Sequence, residues 1–125
     1  MKIADAIAEV DNLKPNMYGK KEKIKWLSRL DARIFEEIVK THEYNEGEEE
    51  VSFTPYGEND EEAVLLAAEP YDEMYVHWLE AQIDYNNMEL DNFNNSNAMF
   101  EAIFNLFRNA YNRTHMPKGA QKIYY

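Results

Sequence analysis

The feature that most limits how this chain can fold is the return of large apolar residues every three or four positions along four separate stretches. That spacing gathers them on one face of an α-helix. Ile3, Ile7 and Val10 predict a first helix over Ile3–Leu13, with Pro15 as its stop. Ile24, Leu27, Leu30, Ile34 and Ile38, flanked by Trp26 and Phe35, predict a second from Lys20 to Lys40. Tyr71, Tyr75, Trp78, Gln82 and Tyr85 on one line, with Met74, Leu79 and Ile83 beside it, predict a third from Tyr71 to about Met88. Pro70 lies just ahead of its first turn, and Asp72 and Glu73 stand where the helix dipole favours acids. Phe93, Phe100, Phe104, Phe107 and Tyr111 predict a fourth from about Leu90 to Arg113, with Arg108 and Arg113 at the end that favours cations.

Between the second and third helices the period changes. Thr41–Glu50 is polar, Val51 and Phe53 then alternate with polar residues, and Ala63–Ala68 is a brief apolar run ended by Glu69-Pro70. These read as the two strands of a hairpin. The expected fold is therefore mainly α: an antiparallel bundle of about four helices with a short β-hairpin, at about residues 50–68, between the second and third long elements. Residues 1–117 form one domain and residues 118–125 a basic-aromatic tail. With 45% apolar residues and nine tyrosines, the chain can build a core despite a net charge of −11.

The charge is segregated. Residues 1–40 hold nine Lys/Arg and seven Asp/Glu; residues 41–107 hold no Lys/Arg and seventeen Asp/Glu; residues 108–125 hold four Lys/Arg and no acid. A middle without one cation repels phosphate at long range, so nucleic-acid binding there is disfavoured. No window approaches a membrane span, and the acids in the N-terminal stretch do not suit a signal peptide, so a cytosolic location is expected. The absence of cysteine removes disulfides, thiolate zinc sites and thiol nucleophiles.

No pattern of catalytic chemistry emerges. His77 lies near Glu73 and Glu80 on one helix but without the second histidine of a zinc helix. The acids of Glu46–Glu50 and residues 57–62 lack the spacing of a calcium loop. Ser28, Ser52 and Ser96 sit in no nucleophile motif, and four glycines build no phosphate-cradling loop. No catalytic, cofactor-binding or metal-ligating residue is assigned, and an enzyme is not expected. The aromatic stripes read as core. The tail, with Ile123, Tyr124 and Tyr125, reads either as a frayed end or as an arm that docks on a neighbour.

The stretches NLKPNMYGKKEKIKWLSRLDARIFEEIVKTH, EPYDEMYVHWLEAQIDYNNMELDNFNNS and AYNRTHMPKG, in that order, together resemble small structural proteins of tailed phages and prophages of low-GC Gram-positive bacteria, identified as head–tail connector (adaptor, head-completion) proteins. The resemblance implies a mainly helical subunit that assembles as a homo-oligomeric ring under the portal protein, extends the channel through which DNA passes, and docks the next tail-side component. It implies no cofactor and no membrane, with the subunit in the host cytoplasm before assembly and in the virion afterwards. On that reading Glu43, Glu46, Glu48, Glu49, Glu50, Glu58, Asp60, Glu61 and Glu62 are candidates for a channel lining that lets DNA slide without adhering. Lys20, Lys21, Lys23, Lys25, Arg29 and Arg33 are candidates to meet a neighbour's acids, and Lys118, Lys122, Ile123, Tyr124 and Tyr125 to reach the portal. The competing expectation, from charge alone, is an acidic decoy that imitates phosphate toward a basic nucleic-acid-binding partner.

Overall fold

Apolar spacing becomes packing in four helices. The structure, a computed structural model, describes residues 1–119. Helix α1 (Ile3–Leu13) buries Ile3, Ala6, Ile7 and Val10, the face its spacing predicts. The Asp5 carboxylate accepts the Lys2 amide at 3.2 Å, answering one of the donors that a helix start leaves open. Pro15 then turns the chain, and Asn16 holds the turn by donating to the Lys14 carbonyl at 2.9 Å and accepting the Tyr18 amide at 3.1 Å.

Helix α2 (Lys20–Ile34) buries Ile24, Leu27, Leu30 and Ile34 and continues into a wider helical turn over Phe35–Val39. There the Lys40 amide reaches back five residues to the Phe35 carbonyl at 2.8 Å. The extra residue rotates the stripe, so that both Ile38 and Val39 are buried.

Helix α3 (Glu73–Asn86) packs against α1, α2 and α4, and buries Met74, Tyr75, Val76, Leu79, Ala81 and Ile83 around most of its circumference. Helix α4 (Leu90–Thr114) folds back along it after a turn in which Met88 takes φ 60°. Ring pairs fix the antiparallel register: Tyr85 on Phe93 at 5.6 Å, Trp78 on Phe100 at 5.1 Å and Tyr71 on Phe107 at 5.8 Å. Phe100, Phe104 and Phe107 complete the core with Tyr75, whereas Tyr71, Trp78, Phe93 and Tyr111 are half-buried and Tyr85 is exposed, so the expected aromatic stripes are interior only in part.

The hairpin does not form. Among the described residues the connection between α2 and α3 contains only isolated bridges, Lys2 with Val64 and His42 with Pro117. The two segments expected to pair with each other pair elsewhere. The Leu65 amide donates to the Met1 carbonyl at 2.9 Å and the Ile3 amide to the Ala63 carbonyl at 3.0 Å, so the second segment lies along the start of α1. The first lies on α2: Phe53 packs on Phe35 at 6.2 Å, and the Tyr56 amide donates to the Ser28 hydroxyl at 3.0 Å. Alternating burial arises in any extended segment with one face on a core, whether a strand or a helix lies beneath it. The periodicity was real; the partner was a helix.

Candidate functional site

What positions the acidic connection is a buried carboxylate. Asp31 is fully buried on the inner face of α2. Its Oδ1 accepts the Tyr75 hydroxyl at 2.6 Å, while its Oδ2 accepts the Leu66 amide at 3.0 Å and the Tyr56 hydroxyl. Tyr75 Oη in turn accepts the Ala67 amide at 2.7 Å. One side chain thus ties α2 and α3 to the connection at residues 56, 66 and 67. Burial pushes the Asp31 pKa above the ordinary value, against the pull of its three donors. The same burial, with the carboxylate alongside, pushes the Tyr75 and Tyr56 hydroxyls up, so both stay protonated as donors.

This hub was not anticipated, although a signal for it exists. Asp31 falls seven residues after Ile24 and seven before Ile38, on the apolar stripe itself. A carboxylate there must be paired, because an unpartnered buried charge costs several kcal/mol. Asp84 repeats the arrangement in α3, fully buried and held by the Lys14 ammonium and by the Ser96 hydroxyl at 2.9 Å.

The acids proposed for a lining divide into two groups. Glu58, Asp60, Glu61 and Glu62 lie against the starts of α1 and α2: Glu58 is 3.9 Å from Lys21, Glu61 pairs with Lys20, and Glu62 pairs with Lys2 at 2.8 Å. Asp60 accepts the Gly57 amide at 2.6 Å and shapes that turn. Glu43, Glu46, Glu49 and Glu50 are exposed, and among the described residues none of them reaches a cation. Glu48 alone in that group is engaged, with His115 Nε2 at 2.9 Å, and the histidine beside it holds its carboxyl below the ordinary value.

The loop carrying these acids is fixed at both sides. Glu43 and Lys118 donate backbone amides to the Met116 and Thr41 carbonyls at 2.7 and 2.8 Å, and the Asn45 side chain donates to the Thr114 carbonyl at 2.9 Å. His42 is buried between the Ile38 carbonyl at 2.6 Å and Asn112 Oδ1 at 2.7 Å. The left-handed Gly47, φ 81°, turns the chain with open space around it. The acids thus project from the end of the bundle where α4 finishes.

The basic candidates also separate. Lys23 is buried, donating to Asp11 and to the Tyr18 carbonyl, both at 2.6 Å, so it serves its own fold. Lys20 and Lys21 face the acids of residues 58–61 in the same chain. Arg33 lies over the Phe104 ring at 4.5 Å and donates to Glu37 at 2.9 Å. Lys25 and Arg29 are exposed and reach no carboxylate among the described residues. They border an open groove of about 720 Å³ between α2 and the segment Pro55–Glu58. Lys118 stands 5.8 Å from the Tyr44 ring centre. Lys122, Ile123, Tyr124 and Tyr125 lie outside the described residues.

His77 meets Glu80 at 3.3 Å, and no group of three or more metal-ligating side chains gathers among the described residues. No helix of the described residues is long and apolar enough to cross a membrane. No family model, no curated protein and no solved structure matches the chain.

Proposed function

We propose that this chain is a structural subunit of a phage head–tail connector, one copy in a ring beneath the portal that extends the DNA channel and docks the tail. The observation that carries the reading is the acidic loop Glu43–Glu50: four exposed carboxylates that reach no cation among the described residues, projected from the bundle end by Gly47 and anchored to α4 through Asn45 and His42. A conduit for a polyanion needs a wall that repels phosphate and holds its shape, and such a loop on a rigid bundle provides both. The resemblance of most of the sequence to connector subunits points the same way.

The lining narrows to Glu43, Glu46, Glu49 and Glu50, with Glu48 helping to position the loop. Glu58, Asp60, Glu61 and Glu62 contribute less field, because lysines of α1 and α2 stand against three of them and Asp60 is occupied in its own turn. Mass spectrometry of purified virions tests the assignment. Recovery of the chain in several copies per particle, lost when portal assembly is blocked, is the expected result. A chain confined to the infected-cell lysate in a one-to-one complex with a basic protein would contradict the connector and favour the decoy.

A further inference from the structure

We infer that two copies of the free chain pair through the exposed side of α4, laid antiparallel across a twofold axis at Ala102. The inference goes beyond the connector reading and does not rest on it. The pairing takes up no part of the loop Glu43–Glu50, and in a ring whose loops all face one channel the pairs have separated.

Phe100, Phe104 and Phe107 turn one side of α4 into the core, and its opposite side meets solvent. From Asn92 to Asn112 every exposed residue on it is uncharged, in a chain of which 30% is charged. These are asparagines and alanines with Met99 and Leu106, 55% and 58% exposed. Depletion of charge around exposed apolar side chains marks a surface that another protein covers. The charged residues within the stretch, Glu101 and Arg108, are half-buried on the edge toward α2, where Arg108 lies over the Phe104 ring and 3.6 Å from Glu37. Glu69, beside Ala110 and Thr114 in a groove, stands on the other flank.

One charge of each sign bounds this neutral face. Asp91 and Arg113 are exposed at its two ends, and neither reaches an oppositely charged group among the described residues. With Asn95, Ala98, Ala102 and Asn109 they recur at helical spacing, so they share one line of roughly 33 Å along α4. A second α4 running the other way over that line sets Asp91 against Arg113, Asn95 against Asn109, Ala98 against Leu106 and Ala102 against its own copy. Both ends then carry an ion pair, the amides can donate and accept in turn, and alanine at the centre lets the helix axes approach to about 8 Å. Such self-complementarity is what a twofold contact requires. The exposed sides of α1 and α2 are no substitute, since they present Asp5, Glu9, Lys25 and Arg29, charges that a neutral face would leave unpartnered.

The antiparallel arrangement also suits a chain of net charge −11. The acidic loop is tied to Thr114 and His115 at the end of α4. The two loops of a pair therefore lie roughly 35 Å apart along the axis, several Debye lengths at physiological salt.

The chain has no cysteine, so introduced thiols report the register. Under mild oxidation Ala102→Cys should link to itself across the axis. Asn95→Cys and Asn109→Cys should each link slowly alone and at least about tenfold faster when mixed, because only the antiparallel pair brings these two positions together. Sedimentation velocity at concentrations up to about 1 mM should show a monomer–dimer equilibrium in the native chain. Ala102→Glu, which sets two like charges on the axis, should weaken it at least about tenfold. Asp91→Arg and Arg113→Asp should each weaken pairing about threefold or more, and their equimolar mixture should restore it, since opposite charges again meet at both ends.

Circular dichroism matching the native spectrum identifies folded variants; a misfolded Ala102→Glu is replaced by Ala102→Lys, with the same weakening expected. A native chain that stays monomeric throughout, Ala102→Glu that pairs like the native chain, or Asn95→Cys that links as fast alone as in the mixture would each overturn the pairing. Portal binding separates it from the connector reading. Rings formed on portals by Ala102→Glu support a pair that acts apart from the ring; loss of rings in this folded variant would place the face inside the ring and overturn a pairing confined to the free chain.

Discussion

At the scale of single residues, Asp31 gathers the most structure. Replacing it with alanine leaves two tyrosine hydroxyls and the Leu66 amide without their acceptor. Breaking a buried hydrogen-bonded network of this kind costs about 3 kcal/mol, visible as a lower urea midpoint, and a loss under about 0.5 kcal/mol would refute the hub. Its titration has a definite sign. Burial raises the Asp31 pKa above 3.8, so the folded protein still holds this proton where the unfolded chain has released it. The group's stabilising effect is complete below 3.8 and is lost as pH rises through the folded value. Asp11 and Glu48, lowered by Lys23 and His115 respectively, act in the opposite sense and lose their contribution as pH falls through their folded values. The stability of the native protein relative to Asp31→Asn should therefore fall as pH rises through the window just above 3.8 and level off beyond it. Denaturation curves across that range check this, and a difference that rises with pH would contradict it.

At the scale of elements, the helices were legible and the connection was not. Three- and four-residue spacing placed α1 to its exact bounds of Ile3–Leu13 and α4 to within one residue, because a helix is specified by local repetition. The connection at residues 40–72 is held instead by side chains from distant helices, Asp31, Ser28 and Tyr75, and by the start of α1. No local period encodes such tethers, and an extended segment lying on a helix shows the same alternation as a strand. Their uneven distribution predicts where the connection opens. A glutamate-specific protease should cut first among Glu46–Glu50, whose tip is free around Gly47, and only later at Glu61, whose carboxylate pairs with Lys20 and whose carbonyl accepts the Ala4 amide at 2.9 Å. In Asp31→Ala the order should collapse, with both regions cut at similar rates by mass-resolved time courses. Unchanged protection at Glu61 would place the anchor elsewhere.

At the scale of the molecule, the sequence already carried the segregation of charge, but not how folding would use it. Four of the nine proposed lining acids are drawn against lysines or turned into their own loop, while Glu43, Glu46, Glu49 and Glu50 reach no cation among the described residues. Pairs across an exposed surface orient groups more than they stabilise them, and Lys20 and Lys21, expected to meet a neighbour's acids, instead face acids of their own chain. What folding leaves over is a subunit with an acidic loop at one end. That surplus is the basis for reading the chain as a ring-forming wall around DNA. Electron microscopy of the purified chain mixed with its cognate portal tests the account most directly. The account predicts a closed ring on the portal's tail side with the Glu43–Glu50 loops facing the channel; bare portals, or a ring with those loops on its outer rim, would contradict it.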